Sequence, residues 1–461
     1  MTASGHRRGT EEELVRKRPF LGLLMAAVAA LALVASGCGS KKSSNSNTNT
    51  SGGGGGSVTA LPASSCQAIY YQGSGKPDFI IASDLPLQGS SRTQTIEMTK
   101  AIKFDLKQHN FKAGSYNIGY QSCDDSTAQA GKWDSGKCSA NGHAYANNKK
   151  VIGVVGTFNS GCAEIIIPIL NRAPDGPVGM VSPANTYVGL THSGPGTSAG
   201  EPDKYYPNGK RNYIRIVAAD DYQGASNAML GKSLGYKSVF VFNDKEAYGL
   251  GVATDFRNAA KKLGLKIAGF TAWDPKASSY EALANKVKQS GADVVYLGGL
   301  ECENGSKLIK DLRGVLGKSY PLIAPDGFSS FGDVWKNTGG AGLGMYISVA
   351  GQPNDKLGPA GKKFVKDFGA ELGSEPNPYS AYGAQAMEVI LKAVSSSGGS
   401  RAKVAENLLK TKVTDGILGN FSINANGDTT SNPVTQYKLG PGGKAPAFKT
   451  ITPPTSLVKV A

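Results

Sequence analysis

The chain has 461 residues, of which 40% are hydrophobic, and this length allows two or three packed domains. The formal net charge is +15, but the lysines are scattered along the chain, so we expect a solvated cationic surface and no nucleic acid partner. The histidines at 109, 143 and 192 lie far apart and no Cys-x-x-Cys motif occurs, so the sequence predicts no metal site and no cofactor.

The first 37 residues have the pattern of an export signal. Basic residues at 16–18 precede an apolar run at 20–35, which is too short for a membrane span of about 20 residues and fits a signal peptide. The run ends in Ala-Ser-Gly-Cys, which resembles a bacterial lipobox, so we expect Cys38 to be lipidated. An ordinary signal peptide followed by a chance cysteine is the alternative. Residues 38–65 are rich in Ser, Asn, Thr and Gly, which predicts a flexible linker.

Strands and helices alternate along the folded part of the chain. Apolar residues at helical spacing, beginning with Met98, Ala101 and Ile102, indicate helices that follow buried strands. This alternation occurs twice over and predicts two parallel α/β lobes. The predicted strands cover 78–83, 116–123, 151–155, 178–181, 266–273, 293–299, 321–327 and 344–351, and the segment 238–249 is predicted as a strand followed by a turn. The clearest later helices cover 358–372 and 379–395.

Polar residues follow several of these strands. Ser160 and Thr186 lie in turns directly after the strands at 151–155 and 178–181. The carboxyl ends of parallel strands form the ligand crevice of an open α/β sheet, so both hydroxyls are candidate ligand groups, although either residue could instead cap a helix. Asp326 ends a strand of the second lobe and is a candidate partner for a ligand cation, or else a turn residue beside a glycine.

Several local motifs together resemble one family. They are GTFNSGCAEI, VSPANTYVGLT, RIVAADDYQG, NDKEAYGLG, YLGG, PDG and FSINANGD, in this order between residues 78 and 440. The chain resembles the branched-chain amino acid (Leu/Ile/Val) substrate-binding lipoproteins of ABC transporters. That resemblance implies the type I periplasmic-binding-protein fold, in which two doubly wound lobes are joined by a three-stranded hinge and the ligand lies between them. The lobes would be residues 66–213 plus 347–417 and residues 214–346 plus 418–461.

The resemblance also assigns roles to individual residues. It implies that Ser160, Ala184 and Thr186 bind the ligand from the first lobe and that Leu300 and Asp326 bind it from the second. The family often has an aromatic residue at the position of Leu300 and commonly has glutamate at the position of Asp326. These departures imply a pocket of altered shape, which leaves branched-chain specificity open.

Tyr248 is a further candidate for the cleft, with packing in the core as the alternative.

Five cysteines remain after Cys38, so at least one thiol is expected to be free or paired in a way that the sequence leaves open. Cys123 ends a strand and Cys138 opens the next helix, and their short separation makes them the predicted disulfide pair. The sequence leaves the pairing of Cys66, Cys162 and Cys302 open.

The leading hypothesis is a monomeric, extracytoplasmic, lipid-anchored receptor that captures an amino-acid-like solute and delivers it to an ABC transporter permease. A sensor that presents the same clamp to a signalling partner is the alternative. Ser160, His192 and Asp326 have the residue types of a hydrolytic triad. No Gly-x-Ser-x-Gly elbow is present, however, so we expect no enzymatic activity.

Overall fold

The computed structural model describes residues 58–458. Its strands are β1 (Phe79–Leu85), β2 (Lys112–Ala113), β3 (Tyr116–Asp124), β4 (Ser126–Thr127), β5 (Lys132–Trp133), β6 (Val151–Gly156), β7 (Gly179–Ser182), β8 (Tyr213–Arg215), β9 (Ser238–Asn243), β10 (Lys266–Ala272), β11 (Val294–Gly298), β12 (Leu322–Ala324), β13 (Tyr346–Val349), β14 (Lys412–Gly416), β15 (Gly419–Ser422), β16 (Val434–Lys438) and β17 (Ala447–Ile451).

The helices of the same part of the chain are α1 (Arg92–Gln108), α2 (Ser135–Asn147), α3 (Ser160–Asn171), α4 (Asp220–Ser233), α5 (Ala247–Lys262), α6 (Glu281–Ser290), α7 (Ser306–Leu316), α8 (Phe331–Asn337), α9 (Pro359–Leu372), α10 (Pro378–Ser395), α11 (Arg401–Leu409) and α12 (Thr455–Val458). Among these helices, none combines the length and the apolar character needed to cross a membrane.

The first lobe is built on a six-stranded sheet in the order β2-β3-β1-β6-β7-β8, in which all pairs are parallel except β2 with β3. Successive side chains of a strand point to opposite faces. Ile81 therefore packs with α1 and α10, whereas Ile80 packs with α2 and α3 on the other face. Helices cover both faces of this sheet, as the apolar strand sequences predict.

The second lobe is built on a seven-stranded sheet in the order β10-β9-β11-β12-β13-β16-β17. Pairs from β10 to β13 are parallel, and β16 and β17 add two antiparallel strands at one edge. Val241 packs with α4 and α5, and Phe242 packs with α6 and α7 on the opposite face. Both lobes thus have the doubly wound arrangement of the type I periplasmic-binding-protein fold, which confirms the predicted fold class.

The chain passes between the two sheets three times, between β8 and β9, between β13 and α9, and between β15 and β16. The fully buried Arg215 stands at the first passage and pairs with Asp428 near the third, with 2.7 Å between Nε and Oδ1. The strand Tyr346–Val349 belongs to the second sheet, so the predicted lobe boundary at residue 347 falls inside a strand. The sheet to which a strand belongs is decided by its pairing with distant strands, and the local sequence does not record that pairing.

The end of the predicted linker lies against the first lobe. Leu61 is buried, with 3% of its surface exposed, and its backbone N–H donates to the side chain of Gln121 on β3. The described part of the segment, residues 58–65, is therefore attached to the fold and is not a free tether. Residues 1–57, with the predicted signal peptide and Cys38, lie outside the described residues.

The predicted disulfide between Cys123 and Cys138 is wrong. Cys123 pairs with Cys66, and Cys138 pairs with Cys162. The chain at Cys66 runs antiparallel beside the end of β3 and so reaches Cys123 first. Cys138 lies on the buried side of α2 that faces α3, where Cys162 lies in the first turn. Cys302 is free, in agreement with the expectation of at least one unpaired thiol.

Candidate functional site

A pocket lies between the two lobes, where the carboxyl ends of strands from both sheets face each other. All six residues that the sequence singled out for ligand binding line this pocket. The lining residues are Phe158, Asn159, Ser160, Ala184, Thr186, Tyr248, Leu300, Asp326, Gly327 and Tyr379.

Ser160 forms part of the first-lobe wall because it begins α3 directly after β6. Its hydroxyl accepts a hydrogen bond from the backbone N–H of Tyr187 at 3.4 Å, which ties the two polar turns together. The first N–H groups of an α-helix have no partner within the helix and carry a partial positive charge. The start of α3 can therefore bind an anionic group such as a carboxylate.

The second polar turn is held in shape by Ser182 at the end of β7. Its hydroxyl accepts hydrogen bonds from the backbone N–H groups of Ala184 at 3.2 Å and Asn185 at 2.8 Å. Thr186 follows, and its carbonyl accepts from the N–H of Asp220 at 2.8 Å. These hydrogen bonds hold Ala184 and Thr186 at the pocket.

Asp326 forms the acidic wall of the second lobe. Its carboxylate accepts hydrogen bonds from Tyr248 at 2.6 Å, Gln223 at 2.9 Å and Tyr379 at 2.5 Å. Burial raises the pKa of Asp326, and these three hydrogen bonds oppose the effect of burial. All three donors are neutral, so the carboxylate is held firmly while its charge remains available to a cation.

Two further candidates complete the second-lobe wall. The Tyr248 hydroxyl also accepts a hydrogen bond from the N–H of Gly327 at 3.0 Å, so it holds the turn that contains Asp326. The ring of Tyr248 packs in the core of the second lobe. Leu300 is buried after β11, and its N–H donates to Asp244 at 2.9 Å. The pocket wall at this position is therefore aliphatic.

Several pocket residues were not predicted from the sequence. Phe158, Asn159 and Gly327 line the pocket and lie within two residues of the predicted Ser160 and Asp326. No sequence feature of their own singled them out as ligand-binding residues. Tyr379 comes from the first turn of α10 and meets Asp326 across the cleft, 53 residues away in the chain. Gln223 reaches Asp326 from α4 over a separation of 103 residues. Such contacts depend on the packing of distant elements.

The residues of the hypothetical hydrolytic triad do not form one. His192 lines a different cavity from Ser160, where its ring nitrogens contact Asp428 at 3.1 Å and Asp221 at 3.3 Å. Burial alone would lower the pKa of His192, but the hydrogen bonds and charges of the two aspartates outweigh burial and raise it to about 9. A histidine that is held protonated is a poor general base near neutral pH.

One cluster of potential metal ligands consists of Asp125, Cys138 and Cys162. The two sulfur atoms are bonded to each other in a disulfide, so they offer no thiolate to a metal ion.

Comparisons with known proteins agree with this architecture. The sequence profile described as "Periplasmic binding protein" matches residues 85–444. A Pseudomonas aeruginosa protein named "Amino acid binding protein" is 27% identical over 64% of this chain and 73% of its own length. "Leu/Ile/Val-binding protein homolog 2" of Brucella abortus is 25% identical over 83% of this chain and 97% of its own length.

Solved structures show the same fold at lower identity. A leucine binding protein, LivK, of Thermotoga maritima has a TM-score of 0.70 and 22% identity, and the alignment covers 81% of this chain and 99% of that one. A solute binding protein of Rhodopseudomonas palustris in complex with 4-hydroxybenzoate has a TM-score of 0.67 and 17% identity, with 81% of this chain and 98% of that one covered. Proteins of this fold thus hold ligands of different chemical classes.

Proposed function

The chain belongs to the periplasmic binding protein family, and on this basis we propose that it captures an amino acid or a similar small polar solute between its lobes and delivers it to an ABC transporter permease. The family consists of binding proteins of transport systems rather than enzymes, and it acts outside the cytoplasm. The ligand class and the delivery step are the parts proposed here.

The buried carboxylate of Asp326 carries the proposal for the ligand class. It lies in the same pocket as the start of α3, which offers unpaired N–H groups beside Ser160. An α-amino acid has a carboxylate and an ammonium group, and these match the two ends of the pocket in charge. Charge-assisted hydrogen bonds are stronger than neutral ones and fix orientation, so the pocket favours a zwitterion over a simple acid or amine.

Membrane attachment through lipidated Cys38 belongs to the same proposal. A monomeric receptor anchored in this way would meet the permease in the same membrane.

The test is a binding measurement on Asp326→Asn. This change keeps the shape of the side chain and one of its two acceptor oxygens, but it removes the charge. We expect the affinity for a stabilising amino acid, found by thermal-shift screening and measured by calorimetry, to fall by about 100-fold, because a buried ammonium group loses its counter-charge.

The exposed Asp203→Asn is the matched control and should bind as the unaltered protein does. The proposal is wrong if no amino acid raises the melting temperature, or if Asp326→Asn binds amino acids with unchanged affinity.

A further inference from the structure

A second cavity between the lobes lies outside the ligand pocket. Its volume is about 820 Å³, and small-molecule sites usually have volumes of about 300–1,000 Å³. The first lobe contributes Glu97 of α1 and the segment 375–378 before α10, and the second lobe contributes Phe331 and Tyr437. No residue that lines the ligand pocket also lines this cavity, within the described part of the chain. The two cavities are therefore separate.

The hydroxyl of Tyr437 has no hydrogen-bond partner among the described residues, although only 5% of the surface of this residue is exposed. A buried tyrosine hydroxyl usually has such a partner. Burial raises the pKa of Tyr437, and the negative charges of Asp355 and Glu375, which line the same cavity, raise it further. The hydroxyl thus lies near carboxylates without bonding to them, and a hydrogen-bond donor in the cavity would satisfy it.

The charged residues of the cavity are mostly acidic. Glu97, Asp355 and Glu375 line it, and Lys444 is the one basic residue among the described residues of the lining, which leaves an excess of two negative charges. The carboxylate of Glu97 accepts hydrogen bonds from the start of α10, which fix its position. Asp355 also contacts Lys356 at 3.7 Å, but both side chains are exposed and such a pair contributes little. The cavity therefore favours a cation.

An aromatic surface adjoins these carboxylates. The ring centroids of Phe331 and Tyr437 are 5.1 Å apart, and the ring planes are inclined at 40°. A cation that lies over an aromatic ring within about 6 Å of its centre is attracted by the ring. Pro353, Pro376 and Pro446 add apolar walls. Carboxylates beside aromatic and apolar walls match an organic cation that has a hydrocarbon body.

We propose that this cavity is a second binding site, which takes a primary alkylamine in its ammonium form. The ammonium group donates hydrogen bonds to the hydroxyl of Tyr437 and to a neighbouring carboxylate, and the methylene chain packs on Phe331 and the prolines. Both lobes line the site, so a bound amine favours the arrangement of the lobes in which the cavity forms. The site is independent of the solute that the ligand pocket holds.

The test is calorimetric titration of the full chain with the diamine putrescine. We expect Tyr437→Phe, which removes only the hydroxyl, to weaken binding by about tenfold or more, because hydrogen bonds to charged groups are among the stronger ones. Glu375→Gln changes an exposed side chain and should weaken binding a few-fold. 1,4-Butanediol has a similar length but no charge, and it should not bind.

Two controls separate a lost site from a damaged fold. The hydroxyl of Tyr437 has no partner among the described residues, so Tyr437→Phe should keep the melting temperature of the unaltered protein in the absence of amine. Tyr346→Phe is the matched control, because Tyr346 lies on the neighbouring strand β13 and outside the lining of the cavity. It should bind putrescine as the unaltered protein does.

Asp326→Asn distinguishes the two cavities. An amine in the ligand pocket would lose affinity on this change, whereas an amine in the second cavity should bind unchanged. The inference is wrong if Asp326→Asn abolishes putrescine binding while Tyr437→Phe leaves it unchanged, if the neutral diol binds as well as the diamine, or if millimolar putrescine does not bind at all. None of these outcomes depends on amino acid binding, so a failure of this inference and a failure of the proposed function can be told apart.

Discussion

Asp326 shows how a single buried charge can prepare a site for a cation. A carboxylate is costly to bury unless hydrogen bonds and an opposite charge compensate for the lost water. Tyr248, Tyr379 and Gln223 supply the hydrogen bonds but no charge. An ammonium group of a ligand would supply the charge, which gives the ligand-bound protein an electrostatic advantage over the empty one.

His192 provides a second charged cluster, away from the ligand pocket. It lies between Asp221 and Asp428, and Arg215 pairs with the same Asp428. His192 also interacts electrostatically with the buried Asp255. A histidine whose pKa rises to about 9 on folding, from a usual 6.5, stabilises the fold below about pH 6.5, and this contribution is lost as the pH rises through 9.

We therefore expect His192→Gln to lower the free energy of unfolding by about 2 kcal/mol at about pH 6 and by much less at about pH 10. Denaturant unfolding of both proteins at the two pH values measures the difference. The exposed His143→Gln should change stability little at either pH. A difference between His192→Gln and the unaltered protein that stays constant over this range would contradict the assignment.

At the scale of residues, the sequence identifies pocket residues that directly follow a strand more readily than pocket residues that come from a distant helix. Ser160, Thr186 and Asp326 follow apolar strands directly, and the structure brings them to one pocket. Tyr379 is part of a helical stripe and looks like a core residue in the sequence. Its hydroxyl reaches Asp326 only because α10 packs against the first sheet with its amino end at the cleft.

The hairpin of β4 and β5 carries one of the contacts between the two lobes. It lies within the polar segment at residues 124–137. Lys132 on this hairpin pairs with Glu303 of the second lobe and also contacts Glu246 at 3.3 Å. Burial and the nearby Glu303 carboxylate raise the pKa of Glu246 to about 8, so the lysine stabilises two acidic groups that would otherwise repel each other.

Lys132→Met keeps most of the length of the side chain and removes its charge. We expect the affinity for the ligand to fall by about tenfold, or about 1.4 kcal/mol. The ligand binds to the closed state, and loss of this contact between the lobes shifts the equilibrium of the empty protein toward the open state. Calorimetric titration measures the change.

The exposed Lys149→Met, which has a pairing partner in the same lobe, is the control for loss of a lysine charge. Equal affinities for Lys132→Met and the unaltered protein would show that the ion pair contributes nothing to closure.

Elements were predicted well where periodicity is strong, as for α9 and α10, which begin within one residue of the predicted helices. The disulfides were not. Cysteine pairing depends on which segments lie side by side, and the antiparallel approach of the chain at Cys66 to the end of β3 has no signature in local sequence. The two loops closed by these disulfides span 57 and 24 residues, and each contributes about 3–4 kcal/mol in the chain-entropy account.

At the scale of the whole molecule, the fold could be predicted because alternating strands and helices occur in two successive parts of the chain. The places where the chain changes lobe were harder to locate. The structure puts β13 in the second sheet and pairs β15 with β14, whereas the predicted boundaries fall at residues 347 and 418. A crossing is defined by pairing with a distant strand, such as β13 with β16, and local composition does not record such pairing.

Membrane attachment is the property of the whole molecule that the sequence predicts most directly. The residue predicted to carry it is Cys38, which follows the apolar run at 20–35. One acyl chain binds a membrane weakly, whereas two acyl chains attach a protein stably, so a diacylated cysteine would keep the receptor on the membrane.

We expect Cys38→Ser to move the protein from the membrane fraction to the soluble extracytoplasmic fraction, as measured by fractionation and immunoblotting. Cys302→Ser should stay on the membrane, because that thiol lies in the folded lobe. Continued membrane association of Cys38→Ser would rule out anchoring through this cysteine.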